Sequence, residues 1–494
     1  MTKSGYQVIR DHSQNVYPPY KGILEAKKRF EKFVVLRTVQ LHVFSVVFRC
    51  YPTSIHVSES TCIVPLQSLL DHTAKRIFAR YSENILDSTR KETDNNKVVM
   101  IVKYGCDGSG GFSEYKQKFS NSGTTDSNIF LTSLVPLQLI TGKTILWDNP
   151  APSSTYYCRP VQLQLKKETS ELIVKEFKRM SAEILTLVPF KIKIEGYSFE
   201  VHYELHLTMA DGKVVNTITE TTSSQRCYLC GVTCFQFNSL KDMPVNENFL
   251  QFGLGSLHSL IRTFECLIHI AYRFKFKAWK KTGNEELFEA TKKRIQKEFL
   301  EKLGLHIDKP RSNFGNSNDG NTARRFFENA EVSSQITGID ITLIKKLRTI
   351  LITISCGHRI DSEKFREYAR KTAELYVKLY PWYNMPTTLH KILMHGHDII
   401  AASVLPIGKM CEEAQEALNK HIRRLRNDHA RKMSRTLTMQ DIFNGLLVSS
   451  DPLISGYRKA EKNRKKKELP EEVRELLHLP DDEERECSEL DDSD

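Results

Sequence analysis

The sequence predicts an α+β protein: a mixed β-sheet with helices, interrupted by a long and mainly helical stretch. Three observations predict it. Residues 97–215 alternate β-rich runs with a single helical run. Residues 227–410 abandon the two-residue period for helical spacing and are rich in Cys and His. The chain has eleven cysteines and no apolar leader, so free or metal-bound thiols are expected rather than disulfides. At 494 residues it is too long for one core and suggests roughly two to four domains. With 40% apolar and 27% charged residues it is globular, which excludes wholesale disorder. No apolar run approaches the roughly 18–20 residues of a membrane span, and Met1–Arg10 has no signal-peptide core. Neither a membrane nor a secreted role is expected.

In chain order, residues 1–95 read as helical. Tyr20–Phe33 and Leu66–Ile85 carry apolar residues at helical spacing with bases between them, and Pro18, Pro19 and Pro52 break the first region into short pieces. Val39–Phe48 is apolar but short and reads as a core element. Lys97–Tyr104 (KVVMIVKY), Asn128–Ile140 and Tyr156–Leu165 read as strands, and Thr169–Leu185 as a helix. After a Glu195-Gly196 turn, Val201, Tyr203, Leu205, Leu207 and Met209 alternate with His202, Glu204, His206 and Thr208, the period of a half-exposed strand. Leu257–Trp279 reads as a strong helix ending in a basic stretch, Arg311–Asn321 as a loop, and Met410–Arg435 as one long basic helix. Beyond Ser449 the periodicity fades and the chain reads as a tail.

Charge narrows the function. The net charge is +12, but Glu471–Asp494 holds twelve acids and two bases, so the first 470 residues carry +22. An excess of that size points to a polyanion, nucleic acid first. Lys462–Lys467 (KNRKKK) reads equally as a nuclear import signal, a phosphate-binding patch or a solvated face.

Two carboxylates sit at strand ends. Asp107 follows the first strand in Cys-Asp-Gly-Ser-Gly-Gly, and Asp211 follows Phe199–Met209. If those strands are neighbours, both meet at one edge, where Mg²⁺-class ions could bind and serve phosphodiester chemistry. Taken alone, an Asp before Gly is a turn more often than a ligand. A third carboxylate, Glu416, lies on a helix with Asn419, Lys420, Arg423 and Arg424 at spacings that share a face. Glu412 and Glu413 compete for its role. Cys227-Tyr-Leu-Cys230 and His390/His395 each have spacing that reaches one tetrahedral zinc, with Cys234 and His397 as alternatives.

In this order, three carboxylates with a CxxC after the second and an HxxxxH before the third, the chain resembles the Transib transposases and the catalytic subunit of the related RAG (V(D)J) recombinase. The matching motifs are Cys106-Asp107-Gly108, Asp211-Gly-Lys-Val-Val, Cys227–Cys230, Leu257-His258 with Ile261-Arg262, Asp319-Gly-Asn-Thr-Ala-Arg324, His390–His395, and Ile407-Gly408 leading to Glu416 and Arg423-Arg424. Tyr20–Lys28 is similar too.

The resemblance implies an RNase H-like catalytic domain. Asp107, Asp211 and Glu416 would be its catalytic, Mg²⁺- or Mn²⁺-binding triad, with two ions per site. Cys227, Cys230, His390 and His395 would hold one structural Zn²⁺. The implied layout is a helical dimerisation and DNA-binding segment over 1–60, a helical segment over 61–96 and the catalytic domain over 97–225. A zinc-binding helical insertion over 226–410 follows, then a helical part carrying the Glu over 411–450 and a tail over 451–494. Lys27, Lys28, Arg311, Asn321, Arg324, Asn419, Lys420, Arg423 and Arg424 are the candidate DNA contacts.

The expected activity is cut-and-paste transposition by a nuclear homodimer. Terminal inverted repeats are bound, the flanking DNA is nicked and closed into hairpins, and the ends are joined to target DNA. No second subunit is evident, so none is expected to be obligatory, as for Transib enzymes. Without the long N-terminal regions of the RAG subunit, end recognition is expected to rely on other surfaces such as residues 1–60 and the basic tail. The competing readings are a domesticated, non-catalytic zinc-containing DNA-binding protein, and an RNase H-like nuclease without strand transfer.

Overall fold

A computed structural model describes residues 52, 54–89, 97–115, 119–120, 124–310, 317–458 and 468–478. Lys27, Lys28, Arg311, the KNRKKK run, Tyr20–Phe33, Val39–Phe48, all but a few residues of the 1–60 segment, and the end of the acidic tail lie outside them.

The centre is one mixed sheet. Its strands are β1 (His56–Val57), β2 (Thr61–Ile63), β3 (Lys97–Gly110), β4 (Asn128–Thr141), β5 (Thr144–Asp148), β6 (Arg159–Gln164), β7 (Phe190–Ile194) and β8 (Tyr197–Leu207). The order is β1-β2-β6-β4-β3-β8-β7, with β5 paired to the end of β4. Every pairing is antiparallel except β3 with β8. A parallel pair needs a crossover connection, and the crossover from β3 to β8 includes helix α2 (Ser170–Leu185). Helix α1 (Leu66–Thr89) precedes β3. Val98, Met100 and Val102 on one face of β3 and Ile101 and Lys103 on the other are all buried, as befits a central strand.

The β3–β4 register slips between Ile101 and Val102, so that Ile101 faces Gln138 and Val102 faces Pro136. Proline has no N–H for the ladder, and a bulge is one of the few places a central strand tolerates it. The β7–β8 hairpin turns through Glu195 (φ 47°) and Gly196 (φ 90°), both left-handed as a type I′ turn requires.

The insertion is helical, as expected. After α3 (Gly212–Ile218), which precedes it, it contains α4 (Cys234–Phe237), a 3₁₀ turn (Glu247–Phe252), α5 (Ser256–Ala271), α6 (Glu285–Leu303), α7 (Gly320–Glu328), α8 (Ala330–Thr337), α9 (Ile341–Ser355), α10 (Ser362–Leu379), α11 (Thr387–Ala402) and α12 (Ile407–Met410). Helix α13 (Glu413–Arg424) then returns to pack along β3 through Ala414, Leu418 and Ile422. The chain ends in α14 (Arg435–Ser449), α15 (Pro452–Gly456) and α16 (Glu471–Arg474).

Five expectations need correction. Residues 56–63 are not helical but form the β1–β2 hairpin on β6. The Leu257–Trp279 helix ends at Ala271 and gives way to turns. Asn321 lies in a helix rather than a loop.

Met410–Arg435 is not one helix. α13 runs into a π turn at Leu425–His429, and the chain restarts at the Ser434 cap. The break follows from Arg426 and Arg435, which are buried instead of solvated and converge on Asp126. The region beyond Ser449 is not all tail. Buried Asp451 accepts from Arg76 Nε at 2.8 Å and faces Arg159, and Leu477 bridges to Ile360.

Candidate active site and metal centre

The register of the parallel pair builds the first half of the site. β3 and β8 pair from Lys97/Glu200 to Tyr104/Leu207. β8 then ends, while β3 runs on against β4 to Gly110, so Asp107 does not follow its strand as expected but lies within it, opposite Leu131. Asp107 lies three residues beyond the last pair on one strand and Asp211 four beyond it on the other. The Met209 N–H donates to the Tyr104 carbonyl and prolongs the contact. Gly105 makes that approach feasible, since a Cβ there would stand 1.7 Å from the Met209 carbonyl oxygen. Asp211 caps α3, its Oδ1 accepting from the Val214 N–H at 2.8 Å.

Helix α13 supplies the second half. Asn419 donates to Asp107 Oδ2 at 3.0 Å, which locks the helix face to the strand end. Glu416, one turn earlier, is half-buried. Burial and the negative charge of Glu416 push the Asp107 carboxyl up to about 8 against the Asn419 hydrogen bond, with Asp211 and Glu168 adding to the rise. Burial also raises Glu416, as do Glu412 and Asp211, while His258 and Lys420 oppose the shift. Like-charged carboxyls forced upward at an open sheet edge are a donor set that suits a hard cation of the Mg²⁺ class.

Two residues of this site escaped the sequence reading. Glu168 is a fourth carboxylate, accepting from the Gly108 N–H at 3.1 Å and pairing with Lys213 Nζ at 2.8 Å. Next to Thr169 it reads only as a residue before a helix cap, so no spacing marks it. His258 lies within a quoted motif but had no role. Its Nδ1 is 2.9 Å from Glu412 Oε1, its N–H donates to the same oxygen at 3.0 Å, and its Nε2 is 3.6 Å from Glu416 Oε1. Burial alone would lower His258, but the Glu412 hydrogen bond and the charges of Glu412 and Glu416 raise it to about 9. Burial would raise Glu412, yet His258 outweighs that and holds it below its ordinary value. Glu412, the competitor for Glu416, is thus engaged by an imidazolium. The other competitor, Glu413, pairs with Arg324 Nη2 at 2.5 Å.

The candidate DNA contacts divide. Lys420, Arg424 and Asn321 are exposed. Arg324 is engaged by Glu413. Arg423 lies over the Phe112 ring at 4.8 Å and donates to the Gly110 carbonyl at 3.3 Å, and Asn419 is bound to Asp107.

The Cys/His residues form a separate cluster. One ligand atom each from Cys227, Cys230, His390 and His395 lies within 4.8 Å of the others, and this is the one such group among the described residues. His390 and His395 stand about 1.4 turns apart on α11 and face each other through Nε2 at 3.2 Å. His390 Nε2 is also 3.5 Å from Cys230 Sγ. The turn holding both cysteines is closed by Gly231, whose N–H donates to the Cys227 carbonyl at a φ of 72°. The His390 ring is stacked on Phe237 with centroids 3.9 Å apart. The hydrogen bond from Cys230 holds the Cys227 thiol far below the ordinary thiol range, against burial, with His390 and His395 reinforcing it. Two sulfurs and two imidazole nitrogens in a closed, largely buried cluster are a fitting donor set for a tetrahedral zinc-like ion. Cys234 and His397 lie outside it, turned instead to Gln225 and Asp398.

Residues 99–225 match the family model of the recombination-activation protein 1 (RAG1) RNase H domain. The match contains Asp107 and Asp211 and supports a relationship to the RAG1- and Transib-like transposases. It identifies the sheet as RNase H-like and places the chain, at a coarse level, among DNA-acting enzymes of the nuclease and recombinase type. No curated protein matches the chain. Among the described residues no helix is long and apolar enough to cross a membrane.

Proposed function

We propose that the chain, related to RAG1 and Transib through its RNase H-like domain, is a DDE-type cut-and-paste DNA transposase. The observation that carries this reading is the convergence of Asp107, on β3 beyond its pairing with β8, and Asp211, just past the end of the parallel neighbour β8, with Glu416 on the helix locked to Asp107 by Asn419. These three carboxylates would hold the divalent ions. When bound, such ions supply the Lewis acidity that activates an attacking oxygen and neutralises a leaving one.

The protein's own groups do the rest. Asn419 orients the Asp107 carboxylate so that one oxygen is already engaged before DNA arrives. Protonated His258 holds Glu412 aside from Glu416 and adds a positive charge near the phosphate. Lys420 and Arg424, exposed on the same helix, would bind the backbone on either side of the scissile bond, and such contacts make binding strongly salt-dependent. Water attack nicks one strand, and attack by the freed 3′-hydroxyl on the opposite strand closes the flank into a hairpin. The transposon end then joins target DNA by the same in-line chemistry. Holding two ends at once calls for a homodimer acting in the nucleus. The Cys/His cluster would carry one structural zinc that ties the start of the insertion to its end.

Purified protein with Mg²⁺ or Mn²⁺ and a labelled inverted-repeat duplex tests the reading on a denaturing gel. A nick followed by a hairpin is expected, and Asp107→Ala, Asp211→Ala and Glu416→Ala should each abolish both while retaining DNA binding. Wild-type cleavage by any one of these variants removes that residue from the triad. Nicking with no joining of a pre-cut end would reduce the enzyme to a nuclease.

A further inference from the structure

Between Asp211 and Glu416 the chain leaves the sheet for 205 positions. The position of the Glu helix is therefore set by contacts at its re-entry, and these are unusual. Lys103 lies on β3 four residues before Asp107 and is 0% exposed. Among the described residues no carboxylate pairs with its ammonium. Instead Nζ donates to the carbonyls of Lys409 at 2.8 Å and Cys411 at 2.7 Å. From the end of β8, Thr208 Oγ1 donates to the carbonyl between them, that of Met410, at 2.7 Å. Three consecutive carbonyls are thus held by side chains from the two strands that carry the two aspartates. On its other side the segment has no slack, because a Cβ on Gly408 would stand 2.2 Å from the Cys356 carbonyl oxygen. One residue past the held carbonyls comes Glu412, and Gln415 Nε2 donates to the Leu131 carbonyl of β4 at 3.1 Å.

A buried ammonium solvated by carbonyls alone is expensive compared with an apolar side chain of the same length. Burial lowers the Lys103 pKa accordingly. Fold stability alone does not call for a charge there. A fixed distance between strand ends and helix does, because catalytic geometry tolerates little displacement.

We propose that Lys103 and Thr208 form a clasp on residues 409–411 that sets the separation of Glu416 from Asp107 and Asp211, with Lys103 as the positioning residue. This rests on the catalytic reading above. The test uses the full chain with Lys103→Met, Thr208→Val and Thr208→Ser, and three measurements: repeat binding, nicking rate against Mg²⁺ concentration, and amide hydrogen exchange over 407–424.

Lys103→Met should lower nicking by about a hundredfold and raise the Mg²⁺ needed for half-maximal rate by about tenfold, with repeat binding kept. Exchange over 407–424 should quicken while the 256–271 helix stays as in the wild type. Thr208→Val should move the same readouts less, and Thr208→Ser should restore them. Wild-type rate, Mg²⁺ requirement and exchange in Lys103→Met overturn the proposal. So does a rate loss with unchanged Mg²⁺ requirement, which marks a merely structural lysine. Should Lys103→Met not fold, the Thr208 valine and serine pair decides by the same criteria. If the wild type does not nick, the catalytic reading fails and the exchange over 407–424 alone decides the clasp.

Discussion

At Cys227, Cys230, His390 and His395 four donor atoms lie within 4.8 Å of one another, and three of the four residues are buried. Asp107, Asp211 and Glu416 are not part of any such tight donor group among the described residues, all three are half-buried, and each is already engaged: Asp107 by Asn419, Asp211 by a helix cap, Glu416 by proximity to His258. The first cluster is the more closed, being largely buried, whereas all three carboxylates of the second are partly open to solvent. A closed donor set serves structure, whereas an open one leaves positions for water and substrate. The difference also separates how each would fail.

The largest expected effect lies on the closed side. Cys227→Ser should abolish zinc content, expected at about one ion per chain, and unfold the insertion, since structural zinc contributes on the order of 10 kcal/mol to small domains. Metal content and the melting profile check this. A full zinc complement in that variant would dissolve the contrast.

On the open side, Asp211→Asn should abolish nicking in a gel assay yet leave the melting temperature within a few degrees. A collapse of the fold in that variant would make the two clusters alike.

His258→Gln should fall between these extremes, with cleavage down about 10–100-fold and Glu412 left buried beside the triad without its cation. Retention of wild-type cleavage would place His258 outside the machinery.

The smallest expected effect is a pH slope. Asp107 rises from an ordinary 3.8 to about 8 in the fold. The folded state therefore binds the proton more tightly than the unfolded one. In chelator, stability should be fullest below about pH 4 and decline as pH rises to about 8. Asp107→Asn should remove that decline, as followed by denaturant titration at several pH values. Zinc retention should run the other way, improving with pH as its ligands deprotonate. Parallel slopes in the two clusters would undo the distinction.

Much of this contrast was readable from the residues. The β-rich run ending in Asp107, the alternating run ending near Asp211, and the CxxC and HxxxxH spacings are all local patterns, and the structure brings the residues of each pair together. The missed features depend on partners distant in sequence. Arg426 and Arg435 read only as part of one long basic helix because Asp126, which buries them, lies some three hundred positions earlier. Asp451 looked like tail because Arg76 and Arg159 are equally remote. β7 (FKIKI) does alternate, but five residues with lysines on one side make a weak signal, although its turn at Glu195-Gly196 was legible. Lys103 reads as an interior lysine in an apolar strand, and nothing local shows that its partners are carbonyls 306 and 308 positions away.

The long excursion between the second aspartate and the glutamate also matters before the protein is finished. Ribosomes add about 5–20 residues per second, so roughly 10–40 s separate the emergence of Asp211 from that of Glu416. During that interval the strand ends can pair, but the acid that completes them does not yet exist. A DNA-cutting enzyme organised in this way is inert on the ribosome, and its first opportunity to damage a chromosome comes only after the whole helical excursion has been made and has returned to the sheet.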